Sequence, residues 1–168
     1  MDENHTAEHS IEKLREFLLA NKLTMSTAES CTGGNIAHII TSAAGSSAYF
    51  TGAIVAYSNS VKRNILKVSQ DDIDNYGAVS RQVVEQMVQG AITALGCDCA
   101  VATSGIAGPT GGTLEKPVGT VWIACAYKNN ITSELFCFNG DRASIIQQAS
   151  VSALVLLQKK LQLSQISF

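Results

Sequence analysis

One stretch constrains this chain more than any other: Thr27-Ala28-Glu29-Ser30-Cys31-Thr32-Gly33-Gly34. It follows a short apolar run, Leu23 to Met25, that reads as a strand. It leads into Asn35-Ile36-Ala37-His38-Ile39-Ile40, which reads as a helix. Hydroxyls, a thiol, a carboxylate and a pair of glycines are thereby gathered at a strand-to-helix turn. Such a turn offers free main-chain N–H groups and the positive end of a helix dipole. It suits a nucleophile beside an oxyanion hole. Ser30 and Thr32 are also residue types that simply cap helices, so the stretch alone supports both readings.

Size and composition bound the rest. At 168 residues the chain is expected to form one domain, 1–168, with room for a sizeable core. Hydrophobic residues make up 46% and charged ones 15%, which places it among globular rather than disordered chains. A formal net charge of −2 gives no electrostatic footprint for nucleic acid. No apolar run approaches the roughly 20 residues that span a bilayer, so no membrane partner is expected. The polar, acidic start Met1-Asp2-Glu3-Asn4-His5 is unlike a signal peptide. Cys31, Cys97, Cys99, Cys125 and Cys137 are an odd set that fits a reducing, cytoplasmic setting better than a disulfide framework. Cys97-Asp98-Cys99 lacks the spacing of a zinc pair. His5-Thr6-Ala7-Glu8-His9 matches an H-x-x-E-H pattern without an evident third ligand. Ser10-Ile11-Glu12-Lys13 spells S-x-x-K without the companion motifs of a β-lactamase. Neither a metal nor a cofactor is expected.

Taken in order, Ile11, Leu14, Phe17 and Leu18 predict an amphipathic helix over roughly 7–21. A strand at about 23–28, the turn, and a helix at about 32–42 follow. Tyr49 to Ala56 reads as a buried strand ending at Tyr57-Ser58-Asn59. Asn59 is the expected cap of a helix over Ser60-Val61-Lys62-Arg63-Asn64-Ile65-Leu66, which puts Lys62 in its first turn. A cation there opposes the dipole, and burial would lower its pKa in the same direction. A lysine that is neutral near pH 7 acts as a general base. The alternative is a solvated surface charge, as Arg63 and Lys67 are expected to be. Ser69 to Asn75 suggests a short helix. Val83, Val84, Met87, Val88, Ala91, Ile92 and Leu95 line one face of a longer helix that Gly96 stops.

Asp98 to Ser104 reads as a strand running into the Gly-rich loop 105–113, which lacks a P-loop ending and any G-x-G-x-x-G. Two apolar runs, 118–127 and 131–138, predict a hairpin around Lys128-Asn129-Asn130, without the usual turn glycine. Asp141 is the expected cap of a last helix. Arg142 is either a planar fork for a phosphate or an ordinary surface charge. The alternation predicts an α/β fold: a three-layer sandwich with a mixed sheet of about five strands flanked by helices. The ligand site is expected at the strand ends that carry Ser30, Tyr57 and Thr103, Ser104 and Gly105.

The segments Thr27 to Gly34, Gly45-Ser46-Ser47, Tyr57-Ser58-Asn59, Gly77-Ala78-Val79-Ser80, Ser104-Gly105-Ile106-Ala107-Gly108-Pro109, Lys116-Pro117-Val118-Gly119-Thr120-Val121 and Gly140-Asp141-Arg142 together resemble the CinA C-terminal domain family. The resemblance runs from about Lys13 to Leu161. Stand-alone members of that family are nicotinamide-nucleotide amidases, so the resemblance implies hydrolysis of nicotinamide mononucleotide to nicotinic acid mononucleotide and ammonia, within pyridine-nucleotide recycling. Larger CinA proteins add an N-terminal, metal-dependent pyrophosphatase domain, for which 168 residues leave no room.

By motif position the resemblance puts a metal-free serine and lysine pair on Ser30 and Lys62, with Tyr57 nearby. It implies a small nucleotide substrate, no cofactor and a homodimer. For the substrate it suggests the turn residues Glu29, Cys31, Thr32, Gly33 and Gly34 and the strand end Thr103, Ser104 and Gly105. Arg142, Ser46, Ser47 and the main chain up to Gly108 are candidates for the phosphate. Glu29 would repel a phosphate and is expected instead at the ribose, the amide or Lys62. Two other readings stay open: a regulatory binding module that does no chemistry, and an amidase for another carboxamide.

Overall fold

The computed structural model describes residues 3–166, with side chains described for 7–164. The start Met1-Asp2 lies outside the described residues, and the H-x-x-E-H pattern begins at His5, whose side chain also lies outside them. The elements run α1 (Glu3–Asn21), β1 (Met25–Glu29), α2 (Asn35–Thr41), β2 (Phe50–Val55), α3 (Asn59–Asn64), α4 (Gln70–Tyr76), α5 (Arg81–Leu95), β3 (Cys99–Gly105), β4 (Thr120–Tyr127), β5 (Asn130–Cys137) and α6 (Arg142–Ile166). The strands form one mixed sheet in the order β2-β1-β3-β4-β5. β1 pairs in parallel with β2 and with β3, whereas β3–β4 and β4–β5 are antiparallel. This is the expected sandwich with helices on both faces.

Side-chain size sets the two helical layers. On one face Leu14 and Leu18 of α1, Ile36 and Ile40 of α2, and Leu154, Leu157 and Leu161 of α6 bury against Met25, Val101, Val121 and Ile123. On the other, the strands present Ala28, Ala100, Ala102, Ala124 and Ala126, and Val83, Val84, Met87 and Val88 of α5 lie directly on that flat alanine surface. β1 and β3 are therefore covered on both sides, and every residue of β1 is buried although it includes Ser26, Thr27 and Glu29. Buried polar groups need partners, and they have them: the Cys97 thiol donates to Ser26 Oγ and Thr27 Oγ1 donates to Glu29. The β4–β5 turn needs no glycine because Lys128 and Asn129 themselves adopt left-handed φ values of 50° and 61°, which matches the twist of a two-residue hairpin. Among the described residues no helix is long and apolar enough to cross a membrane.

The parallel arrangement decides where chemistry can gather. The segments after β1, β2 and β3 leave the sheet at one end, and β4 starts at that same end because it runs antiparallel to β3. Ser30, Tyr57, Ile106 and Gly119 are thus neighbours in space.

Candidate active site

Lys62 crosses from α3 to the turn after β1. Its Nζ lies 2.9 Å from Ser30 Oγ, and its other acceptors are the main-chain carbonyls of Ala56 at 2.8 Å and Tyr57 at 3.3 Å. Lys62 is 1% exposed and Ser30 9% exposed. Among the described residues no carboxylate joins these contacts. Burial holds the Lys62 pKa below the ordinary lysine value; a negative charge on Cys31 would act the other way. The dipole expected to help does not. Ser58, not Asn59, caps α3, accepting from the Val61 N–H at 3.3 Å, and in so short a helix Lys62 falls in the last turn. A cation there is favoured by the dipole. Desolvation alone produces the lowering.

The seat of α3 depends on α5. A Cβ at Gly90 would run into the carbonyl of Leu66, just after α3. Gly90→Ala is expected to cost about 1–3 kcal/mol of stability, measured by urea denaturation. Any activity of the site should fall with it, because the displaced segment carries Lys62.

Glu29 is fully buried, and its carboxylate meets the start of α2. Oε2 accepts from Thr32 Oγ1 at 2.7 Å and from the N–H groups of Gly34 at 3.0 Å and Ile36 at 3.1 Å. Oε1 accepts from the Ala37 N–H at 2.9 Å and from Thr27 Oγ1 at 3.1 Å. This corrects the expectation of a contact to ribose, amide or Lys62: both oxygens are engaged at the helix end. Gly34, at φ 101°, supplies the left-handed bend that brings α2 round onto this carboxylate.

Cys31, next to Ser30, would be the better nucleophile as a thiolate. Burial pushes its pKa up to about 12, so the thiol stays protonated. Iodoacetamide at about pH 8 is expected to label exposed Cys137 and to spare Cys31, as read by peptide mass spectrometry.

The other candidates divide. Thr32 and Thr103 share a hydrogen bond of 2.8 Å between their hydroxyls, and Ser104 Oγ donates to the Ala78 carbonyl at 2.7 Å. All three are buried; Thr103 faces the turn, whereas Ser104, the next residue of β3, points to the opposite face of the sheet. Gly33 lies in the turn itself, and Gly105 ends β3. Arg142 Nη1 donates to the Gly108 carbonyl at 2.8 Å and Nη2 to the Tyr57 hydroxyl at 3.1 Å. Tyr57 therefore meets Lys62 through its carbonyl and Arg142 through its exposed phenol. Ser46 and Ser47 do not join this group. They form a single 3-10 turn that precedes β2, and parallel pairing puts that turn at the opposite end of the sheet from Ser30. The carbonyls of Ala56 and Tyr57 were not expected as ligands of the amine, since main-chain direction leaves no mark on residue type.

A family model for the CinA C-terminal domain matches residues 7–161. The chain belongs to the CinA C-terminal domain family. Among its relatives is a protein of Enterobacter agglomerans named nicotinamide-nucleotide amidohydrolase PncC, 47% identical over 155 residues that cover 92% of this chain and 94% of the relative. The Escherichia coli K12 protein of the same name is 46% identical over 147 residues, covering 87% and 89%. A CinA-like protein of Endomicrobium trichonymphae is 47% identical over 145 residues, 86% of this chain, but the chain spans only 34% of that longer relative. Among solved structures, a competence-damaged protein (CinA) superfamily protein of Klebsiella pneumoniae superposes with a TM-score of 0.88 at 35% identity, covering 93% of this chain and 98% of that one. The two structures thus share one fold.

Proposed function

We propose that this chain hydrolyses the carboxamide of nicotinamide mononucleotide to nicotinic acid mononucleotide and ammonia, with Ser30 as nucleophile and Lys62 as its base. The observation that carries the reading is the 2.9 Å contact between a buried amine and the Ser30 hydroxyl, with only neutral acceptors around the amine. The names of the two amidohydrolase relatives, each matched over most of its length, support the substrate.

The chemistry follows from the contacts. In the neutral amine, the carbonyls of Ala56 and Tyr57 take the two N–H bonds. The lone pair is left for the Ser30 proton. Ser30 Oγ attacks the carboxamide carbon as its proton passes to Nζ, and main-chain donors of the turn hold the oxygen that becomes negative. The resulting ammonium then protonates the leaving nitrogen, and ammonia departs from a serine ester. Lys62, neutral again, takes a proton from water, whose oxygen attacks the ester carbon, and Ser30 regains its proton. In this reading Arg142, which bonds the Gly108 carbonyl and the Tyr57 hydroxyl, is the cation that serves the 5′-phosphate.

The test is ammonia release from nicotinamide mononucleotide by the purified protein, with free nicotinamide as control. Release from the nucleotide and little from free nicotinamide is expected. Nucleotide binding without ammonia release would overturn the amidase reading in favour of a binding module. Faster release from another carboxamide would reassign the substrate.

A further inference from the structure

We propose that Glu29 is the positioning residue of this site, and that it leaves the main-chain N–H groups of Cys31 and Thr32 as the donors that hold the oxyanion. The inference rests on Ser30 being the nucleophile. After a strand-to-helix turn, the N–H groups expected to be free are those of the first helical turn. Here they are occupied. Those of Gly34, Ile36 and Ala37 end on the Glu29 carboxylate at 3.0, 3.1 and 2.9 Å. The Asn35 N–H goes to the Thr32 carbonyl, the Gly33 N–H to the Ser30 carbonyl, the Ser30 N–H to the Thr103 carbonyl and the His38 N–H to the Gly34 carbonyl. Between residues 30 and 38, only the N–H groups of Cys31 and Thr32 have no oxygen acceptor among the described residues; that of Cys31 meets only the weak acceptor of its own sulfur. They directly follow the nucleophile, so they are carried by the same turn as Ser30 Oγ.

Glu29 shapes that turn from beneath. It is the residue before Ser30, and its carboxylate grips both Thr32, two residues after the nucleophile, and the start of α2. Ser30, Cys31 and Thr32 are thereby held between two anchors. The carboxylate also offsets the positive end of α2, so an anionic group of a substrate gains nothing there.

Glu29→Gln replaces one acceptor oxygen with an NH2 group that faces N–H donors. Two rates report on the consequence. One is kcat for nicotinamide mononucleotide. The other is the rate at which a fluorophosphonate modifies Ser30, the serine oxygen displacing fluoride from phosphorus. Both are expected to fall together by about 10–100-fold, with KM within about twofold and the Lys62-governed pH midpoint unmoved. Replacing Thr32 with its α-hydroxy acid deletes one N–H and keeps the side chain; both rates are expected to fall by about 10²–10³.

A folded Glu29→Gln protein, verified by circular dichroism, that keeps both rates or changes only KM would overturn the positioning role. An ester at residue 32 that leaves both rates intact would overturn the assignment of the donors. Should Glu29→Gln fail to fold, Thr32→Val, which removes the 2.7 Å hydroxyl anchor to Glu29 together with the 2.8 Å bond to Thr103, is read by the same criteria, with Thr103→Val as the control for the second bond. Normal phosphonylation of Ser30, lowered in these variants, without ammonia release from the wild type would sink the substrate reading and leave this inference standing.

Discussion

Lys62→Met is expected to lower ammonia release roughly 10⁴-fold, the scale seen when one member of a nucleophile–base pair is lost, while raising the melting temperature. The two effects share one cause. Lys62 is 1% exposed and meets only a hydroxyl and two carbonyls. An amine held there without a counter-charge opposes folding, and an apolar chain of similar shape removes that opposition. Function and stability are thus in conflict at this position.

The sign with pH follows from linkage. Burial lowers the folded-state pKa below the unfolded value of about 10.4. Between those values the unfolded chain binds more protons, so stability rises with pH across that window. The advantage of Lys62→Met should therefore be largest below the folded pKa and vanish above about 10.4. In the wild type, kcat/KM should rise with pH through the same lowered pKa. Ser30→Ala is expected to lose a similar factor in rate without the gain in melting temperature. Equal melting temperatures of Lys62→Met and wild type at every pH would show that the amine carries no desolvation penalty. Retained turnover in either variant would remove that residue from the mechanism.

Arg142→Ala is expected to reduce kcat/KM for nicotinamide mononucleotide by about 10–150-fold, the equivalent of one charge-assisted hydrogen bond of roughly 1.5–3 kcal/mol. The control is nicotinamide riboside, which has the same carboxamide and no phosphate. Its turnover should change less than about threefold if the guanidinium serves the phosphate. Arg142→Lys should rescue little, because an ammonium does not reproduce the planar fork that now bridges Gly108 and Tyr57. Equal losses on both substrates would mean that Arg142 only holds those two residues in place.

The order of elements, the mixed sheet and the turn carrying Ser30 follow from residue type alone, because apolar periodicity and turn chemistry are local properties. The pairing of Ser30 with Lys62 was legible only by resemblance; thirty-two residues separate them in sequence, and the chain is brought back by the sheet and by the seating of Leu66, just after α3, on Gly90 of α5. Local pattern misled at three places. Ser58 rather than Asn59 caps α3, and the helix stops at Asn64 short of the expected Leu66, so Lys62 lies in its last turn, where the dipole does not lower its pKa. Ser46 and Ser47 read as site residues until parallel pairing put them at the far end of the sheet.

Glu29 looked like a group for the substrate, because an acid that caps a helix from five to eight residues upstream matches no short-range capping pattern. Residue type thus determined which groups are available for chemistry. Only the tertiary structure decided which of them face one another, which are already engaged and which are left free, because burial and main-chain direction depend on the whole sheet.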